Sequence, residues 1–291
     1  MNYTGPVYRP PYEANTLLLE VTVGCAHNKC TFCTMYRDVK FSTVKADRIE
    51  QDLQEAQRLY PNVKRIFLVN GDAFVLSAKR LKNIAEQIHK YLPKVEIITM
   101  YASINNIMHK SDEELAELAK LGIGDLWIGV ETGLGDALDY LNKGASLSDT
   151  EKQLERLNKA GITFFYGFMF GAAGKSRGIE NAIANAKLIN KVKPLGIVPT
   201  TLNVNNGTQL EADITNGSFQ MATEKEILEE QIKTIDLINV PTYYMGIHVI
   251  NTVSFDTQLP KGKQEAVEKI MYVLNNTTES VLNSVPVRHS I

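Results

Sequence analysis

The sequence is short of cysteine, of basic clusters and of long apolar runs, and each shortage excludes a class of protein. The 291 residues have a formal net charge of -2 and no arginine-rich stripe, which argues against a nucleic-acid partner. No apolar run is long enough to span a bilayer, so we expect no membrane partner. The first fifteen residues lack the apolar core of a signal peptide, which predicts a cytoplasmic location.

The few cysteines that are present all stand together. Cys25, Cys30 and Cys33 lie in the run GCAHNKCTFC, and the chain has no other cysteine. Thiols confined to one short stretch indicate a metal site. Three thiolates match a four-iron cluster with one iron left uncovered by protein, because such clusters usually take four cysteines.

Three other interpretations of the cysteines stay open from the residues alone. A zinc site needs a fourth ligand, for which His27 lies inside the same loop. A disulfide leaves an odd thiol and needs an oxidising compartment. Buried, inert cysteines are the third possibility, although polar residues separate them here.

Strand-like and helix-like segments alternate along the chain, which predicts an α/β fold with a parallel sheet, either open or curled into a barrel. The predicted strands cover residues 17–23, 64–70, 95–101, 125–130, 163–170 and 196–203. The predicted helices cover residues 43–60, 78–91, 111–121, 135–141, 148–160, 179–192 and 223–238. These segments form six successive strand-then-helix units.

Glycine-rich or polar breaks follow several of the predicted strands. The cysteine loop comes directly after the first strand, and further breaks occur at residues 70–72, 101–103, 131–133 and 171–174. Loops at the carboxyl ends of parallel barrel strands share one face, where active sites collect. We therefore expect these loops to gather around the cysteines.

The motifs together resemble the radical S-adenosylmethionine (SAM) superfamily. The likeness rests on the cysteine loop with Phe32 before its last cysteine, NGDAF at residues 70–74, GVETG with a downstream LNKG at 129–144, and FMFG at 168–171. It runs from about residue 17 to residue 210. The cysteine spacing departs from the commonest family pattern, because four residues rather than three separate Cys25 from Cys30.

The resemblance implies a partial (β/α)6 barrel of the radical SAM type, similar to a TIM barrel, with a small C-terminal extension. Residues 1–240 are expected to form this core, with the cluster loop at 24–34. Residues 241–291 are expected to pack on the core and to contribute on the substrate side.

By the same resemblance, Cys25, Cys30 and Cys33 ligate three irons of a [4Fe-4S] cluster, and the fourth iron takes the amino and carboxylate groups of SAM. The matching positions all contact SAM. Asn70, Gly71 and Asp72 lie at its methionine amino group, and Lys143 lies at its methionine carboxylate. Glu131 lies at the ribose, Met169 at the adenine, and Ser103 is a further candidate contact to SAM. The chemistry of the side chains agrees, since a zwitterion needs an anion near its ammonium and a cation near its carboxylate.

The implied activity is that of an oxidoreductase. An external one-electron donor, such as a flavodoxin or a ferredoxin, reduces the cluster; SAM is cleaved to a 5′-deoxyadenosyl radical, and the radical abstracts hydrogen from an unidentified small molecule. With no cysteine to spare, extra clusters and a methylated cysteine are excluded. The alternatives are an iron-sulfur electron-transfer or scaffold protein, and a tRNA-modifying or glycyl-radical-activating radical SAM enzyme.

Substrate choice is expected to depend on the segment after residue 238. His248 and Asn251 fill positions where a histidine and an asparagine recur in the resembling group, and both are candidate catalytic residues. His248 has the side chain suited to proton transfer near neutrality, and it would equally serve as a hydrogen-bonded structural residue. A helix is predicted over residues 263–274, and residues 285–291 are predicted to be a surface terminus.

Overall fold

A computed structural model of the chain describes residues 1–285 and 287–288. Pro286 and residues 289–291, which belong to the predicted surface terminus, lie outside the described residues. None of the helices within the described residues combines the length and the apolar content that crossing a bilayer demands.

Strands and helices alternate along most of the chain. The strands are β1 Leu17–Glu20, β2 Thr22–Val23, β3 Ser42–Thr43, β4 Arg65–Val69, β5 Ile97–Ala102, β6 Leu126–Glu131, β7 Phe164–Phe170, β8 Gly196–Thr201, β9 Thr242–Met245 and β10 Asp256–Leu259. The α-helices are α1 Ala46–Leu59, α2 Ala78–Tyr91, α3 Ile104–Met108, α4 Asp112–Lys120, α5 Gly135–Leu141, α6 Leu147–Ala160, α7 Gly178–Val192, α8 Gln209–Asn216, α9 Glu224–Leu237, α10 Lys263–Asn276 and α11 Glu279–Leu282. Short 3-10 helices occupy Pro11–Glu13 and Ala73–Val75.

The main sheet has eight strands in the order β1-β4-β5-β6-β7-β8-β9-β10, and β2 pairs with β3 separately. Its registers are parallel, for example Leu17 opposite Ile66 and Phe165 opposite Gly196, except that β10 runs antiparallel to β9. The α/β class and the six strand-then-helix units are thus confirmed. The strands of the described residues do not close into a full barrel, in agreement with the expected partial barrel.

The chain divides into two compact units. The first unit comprises residues 1–28, 35–128 and 152–164. It contains β1, β4 and β5, and the central residues of β4 and β5 are buried on both faces, as expected where helices cover a parallel sheet. Ser111 and Glu114 form a capping box that begins α4, which accounts for the acidic first turn seen in the sequence.

The second unit comprises residues 29–34, 129–151 and the chain from 165 onward. Most of β7 belongs to it, and this strand is buried along nearly its whole length. A second capping box, formed by Thr223 and Glu226, begins α9. The predicted extension adds β9 in parallel to β8 and β10 at the end of the sheet, two strands that were not predicted. The boundary between residues 240 and 241 stays a prediction.

Candidate active site

The cysteine loop contributes to both units. Cys25 belongs to the first unit, and Cys30 and Cys33 belong to the second. All three side chains are partly exposed, and within the described part of the chain, which includes every cysteine, no disulfide bond forms. A disulfide interpretation of this loop is therefore wrong for this structure, and the partial exposure disfavours fully buried, inert thiols.

Residues 29–34 are held to the rest of the second unit by hydrogen bonds of Thr31 and Phe32, the two residues between Cys30 and Cys33. The Thr31 N–H donates to the Leu141 carbonyl at 3.2 Å, and the Leu210 N–H donates to the Thr31 carbonyl at 3.0 Å. The Asn205 amide donates to the Phe32 carbonyl at 2.9 Å. These hydrogen bonds fix the loop's path, and the sequence carries no local signal that predicts them.

The ring of Phe32 reinforces this attachment. It packs against a buried cluster formed by Leu141, Met169, Ala172, Leu202 and Leu210. Because Met169 belongs to that cluster, the structure brings the predicted adenine residue and the cysteine loop to the same apolar group.

Glu131 and Lys143 form an ion pair in the second unit. The Lys143 ammonium donates to Glu131 Oε1 at 2.9 Å, and the Lys143 and Glu131 side chains are 21% and 13% exposed. Burial opposes the ammonium charge, but Glu131 together with Cys30 and Cys33 holds the pKa of Lys143 above its ordinary value. The structure therefore places one cation within electrostatic reach of two cysteines and a predicted ribose-binding carboxylate.

Two backbone features shape this ion pair. Glu131 has φ of 75°, a left-handed conformation that a non-glycine residue rarely adopts. A Cβ on Gly129 would stand 2.3 Å from Glu131 Oε1 and 3.2 Å from Lys143 Nζ. The glycine of the GVETG motif thus leaves the space in which the carboxylate and the ammonium meet.

In the first unit, Asn70 and Gly71 are tied to one tyrosine that sequence analysis missed. The buried Tyr36 hydroxyl donates to Asn70 Oδ1 at 3.3 Å and accepts the Gly71 N–H at 3.1 Å. A Cβ on Gly71 would lie 2.7 Å from the Tyr36 ring and 3.1 Å from the Cys25 Cβ. Gly71 is therefore needed for this loop to approach Cys25 closely.

Asp72 is buried and accepts a hydrogen bond from the Asn106 amide. Ser103 lies at the start of α3, where its hydroxyl accepts the Asn106 N–H at 3.4 Å. Ser103 and Asp72 thus meet the same asparagine, and a helix-capping role accounts for the Ser103 hydroxyl.

Lys110 is a further charged residue of this part of the first unit that sequence analysis missed. Its ammonium is buried, donates to the Phe74 carbonyl at 2.7 Å and lies 4.2 Å from the centre of the Phe74 ring. Burial lowers the pKa of Lys110 to about 8, against the opposing pull of Asp72 and Glu114.

Behind Met169 lies a buried polar network. The Asn181 amide donates to the Met169 carbonyl at 3.2 Å and to Glu230 Oε1 at 2.6 Å, while the Gly171 N–H donates to Glu230 Oε2 at 2.8 Å. Burial raises the pKa of Glu230 to about 8, although both donors favour the carboxylate. Glu230 and Asn181 therefore hold the end of β7, and no sequence motif pointed to them.

The candidate catalytic residues of the extension differ in their surroundings. The Asn251 amide donates to the carbonyls of Pro199 and Gly246 at 2.9 and 3.0 Å, and its oxygen accepts from Thr201 at 3.1 Å. This pattern supports a positioning role for Asn251. His248 is partly exposed, and burial lowers its pKa by disfavouring the charged imidazolium.

The donor set fits an iron-sulfur cluster by its chemistry. Three partly exposed thiols can supply thiolate ligands, and Lys143 places a positive charge near two of them. Within residues 1–285 and 287–288, no three histidine, cysteine, aspartate or glutamate side chains stand close enough together to hold a metal ion. The fit to an iron-sulfur cluster therefore rests on the type and number of the ligands, and not on a preformed geometry.

Comparison with known proteins identifies the family. The model of the Radical SAM superfamily matches residues 19–184, more than half of the chain. An uncharacterized protein of Methanocaldococcus jannaschii is 24% identical over 221 residues, which cover 72% of this chain and 67% of that protein. The heme chaperone HemW of Bacillus subtilis is 27% identical over 128 residues, 43% of this chain and 34% of that protein.

Solved structures show the same fold. Methylornithine synthase matches with a TM-score of 0.55 and 15% identity, over 77% of this chain and 63% of that one. The radical SAM methyltransferase TsrM of Kitasatospora setae matches with a TM-score of 0.56 and 17% identity, over 69% of this chain and 39% of that one. The hydrogenase maturase HydG matches with a TM-score of 0.54 and 15% identity, over 88% of this chain and 54% of that one. The chain spans less than two thirds of each of these three proteins.

The chain belongs to the Radical SAM superfamily and is an enzyme of that type. Its cofactors are accordingly a [4Fe-4S] cluster and SAM, and enzymes of this type require a reductant and a substrate. The zinc interpretation of the cysteine loop is superseded by this assignment.

Proposed function

We propose that the chain cleaves SAM reductively and abstracts a hydrogen atom from a small molecule. In this proposal Cys25, Cys30 and Cys33 hold the cluster. The observation that supports the proposal most directly is the position of Lys143. Its ammonium donates a hydrogen bond to Glu131 and interacts electrostatically with Cys30 and Cys33. A cation beside two of the proposed cluster ligands suits the SAM carboxylate, which is expected to bind the fourth iron of the same cluster.

The remaining assignments follow the resemblance and are supported by local geometry. Asn70, Gly71 and Asp72 bind the methionine amino group, and Asp72 is the anion for that ammonium. Glu131 accepts hydrogen bonds from the ribose hydroxyls. Met169 packs on the adenine, and Ser103 contributes indirectly through Asn106.

When bound, the reduced cluster and SAM supply the carbon-centred radical that removes hydrogen from the substrate. The protein's own residues orient the cofactor and exclude water. The external donor is proposed to be a flavodoxin or a ferredoxin, and the site of action the cytoplasm. His248, from the segment after β9, is the proposed proton-transfer residue on the substrate side, and Asn251 positions that segment.

Release of 5′-deoxyadenosine tests the proposal. The anaerobically reconstituted protein is reduced with dithionite in the presence of SAM, and products are measured by mass spectrometry. We expect slow release by the unaltered protein and none from Cys30→Ala, while Lys29→Ala, an exposed change in the same loop, preserves release. A fully loaded cluster that neither cleaves SAM nor changes its spectrum on SAM addition would indicate an electron carrier or scaffold instead.

Binding to RNA distinguishes the nucleic-acid-modifying alternative. A tRNA-modifying enzyme should bind tRNA with an affinity that falls steeply with salt. The net charge of -2 favours a small-molecule substrate, for which no such binding is expected.

A further inference from the structure

A cavity of about 170 Å³ lies in the second unit at the carboxyl end of β8. Its walls include Leu202 and Val204 after β8, Ala222 and Ile227 before and within α9, and Val287 and Arg288 near the end of the described chain. Active sites of parallel α/β proteins lie at this end of the strands, and no cofactor role has been assigned to these residues.

The cavity adjoins the apolar cluster around Met169. Leu202 belongs to that cluster, and Val204 and Met221, which also line the cavity, pack against it. Phe32 of the cysteine loop packs against the same cluster. The cavity therefore borders the apolar cluster that contains the proposed adenine residue.

The polar groups of the cavity wall are few and of defined kinds. Thr201 donates its hydroxyl proton to Asn251 at 3.1 Å, so the proposed positioning residue lies directly behind the wall. Asn203 lines the cavity, and its amide has no hydrogen-bond partner among the described residues. An asparagine amide offers an NH₂ donor group and a carbonyl acceptor side by side, which match a carboxamide.

Arg288 brings no uncompensated charge to the cavity. Its guanidinium pairs with Glu224, donates to the Ile250 carbonyl at 2.8 Å and is only 10% exposed. A ligand carboxylate in this apolar space would find no available cation among the described lining residues, and its burial would be unfavourable. The wall therefore favours a neutral ligand.

We propose that this cavity binds the substrate, and that the substrate is a neutral small molecule with a branched aliphatic group and a carboxamide or similar donor-acceptor group. The aliphatic group fills the space between Leu202, Ala222 and Ile227, and the carboxamide meets Asn203. A cavity of roughly 150 Å³ is known to hold benzene, so a group of about six non-hydrogen atoms fits. The inference rests on the proposed function, which makes this pocket a substrate site.

Binding of isovaleramide tests the inference, with isovalerate and acetamide as matched probes. Each is titrated calorimetrically into the anaerobic, cluster-loaded protein in the presence of SAM. We expect isovaleramide to bind with a dissociation constant on the order of 1 mM. Isovalerate, which is charged, and acetamide, which lacks the branched group, should each bind at least tenfold more weakly.

Two substitutions fill the cavity and one removes its amide. Ala222→Leu and Val204→Phe should each weaken isovaleramide binding at least tenfold, and Asn203→Leu at least fivefold. Lys225→Ala, an exposed change on α9, is the control and should leave binding unchanged. If Ala222→Leu fails to fold, Val204→Phe decides, because Val204 is only partly buried.

The inference is overturned if the unaltered protein shows no saturable binding of isovaleramide, or if every cavity-filling variant that folds binds it as well as the unaltered protein does. Release of 5′-deoxyadenosine without substrate is measured on the same unaltered preparation. Normal release without binding defeats only the cavity assignment. Binding without release leaves a ligand site and defeats the radical function.

Discussion

Lys143 donates a hydrogen bond of 2.9 Å to Glu131, although the resemblance assigns these two residues to different groups of SAM. The pair is compatible with both assignments, because an ammonium has three protons and a carboxylate has several acceptor positions. Pairing also orients each side chain before the cofactor arrives. Glu131 and Lys143 are therefore expected to act together in cofactor binding.

Replacing Glu131 by glutamine tests this coupling. Hydrogen bonds that involve a charged group contribute roughly 1.5–3 kcal/mol, so Glu131→Gln should weaken SAM binding about 10- to 100-fold. Calorimetric titration of SAM into the reconstituted protein measures the change. Glu268→Gln, on the exposed side of α10, is the control, and an equal effect of both substitutions would contradict a role for the ion pair.

Gly129→Ala should disturb the same pair by steric means. The added Cβ would stand 2.3 Å from Glu131 Oε1, so the carboxylate must move. We expect SAM to bind at least fivefold more weakly, while the melting temperature changes little because only a side-chain end is displaced. Gly135→Ala is the matched control, since a Cβ there meets no atom within 4 Å. Unchanged SAM binding by Gly129→Ala would show that Glu131 need not occupy its observed position.

Much of the fold follows from local sequence patterns. The predicted helices at residues 78–91 and 135–141 match α2 and α5 at both ends, because apolar spacing and local turn signals agree there. The predicted strand over 17–23 instead divides into β1 and β2, which pair with different partners. Partner choice is a tertiary property that periodicity does not contain.

The candidate site was harder to predict from the sequence than the fold. Its motifs identified which loops matter, but the Glu131–Lys143 pair depends on a left-handed backbone at Glu131. Tyr36 and Glu230 contribute through hydrogen bonds that span long stretches of sequence, with Gly71 and Gly171 respectively. Ordinary residues at helix or loop positions carry no local mark of such interactions.

The buried Glu230 should make stability depend on pH. Its pKa is about 8 in the folded protein against an ordinary value of 4.5, so the folded state binds more protons between these values. The free energy of unfolding should therefore fall as pH rises through this window, by at most about 1.4 kcal/mol per pH unit from this group.

Urea unfolding at several pH values between 5 and 9 measures this dependence. Glu230→Gln cannot ionise, and its pH slope should be shallower than that of the unaltered protein, whatever its absolute stability. Glu229→Gln replaces the neighbouring carboxylate, which is 42% exposed, and should keep the original slope. Identical slopes in all three proteins would mean that Glu230 titrates normally.

Phe32 should determine how firmly the cysteine loop retains iron. Its ring is the loop's contribution to the apolar cluster, and its carbonyl is held by Asn205. Phe32→Ala removes the packing of the ring, so Cys30 and Cys33 lose a fixed placement, and we expect at least half of the iron to be lost after reconstitution and desalting. Phe32→Leu keeps an apolar side chain and should retain most of the iron.

Phe219→Ala is the control for this prediction, because Phe219 packs against the same cluster but lies outside the loop. Iron content and melting temperature, both measured for each variant, separate loss of the loop's attachment from general destabilisation. Equal losses of iron in Phe32→Ala and Phe219→Ala would show that general destabilisation, and not the loop's attachment, determines cluster retention.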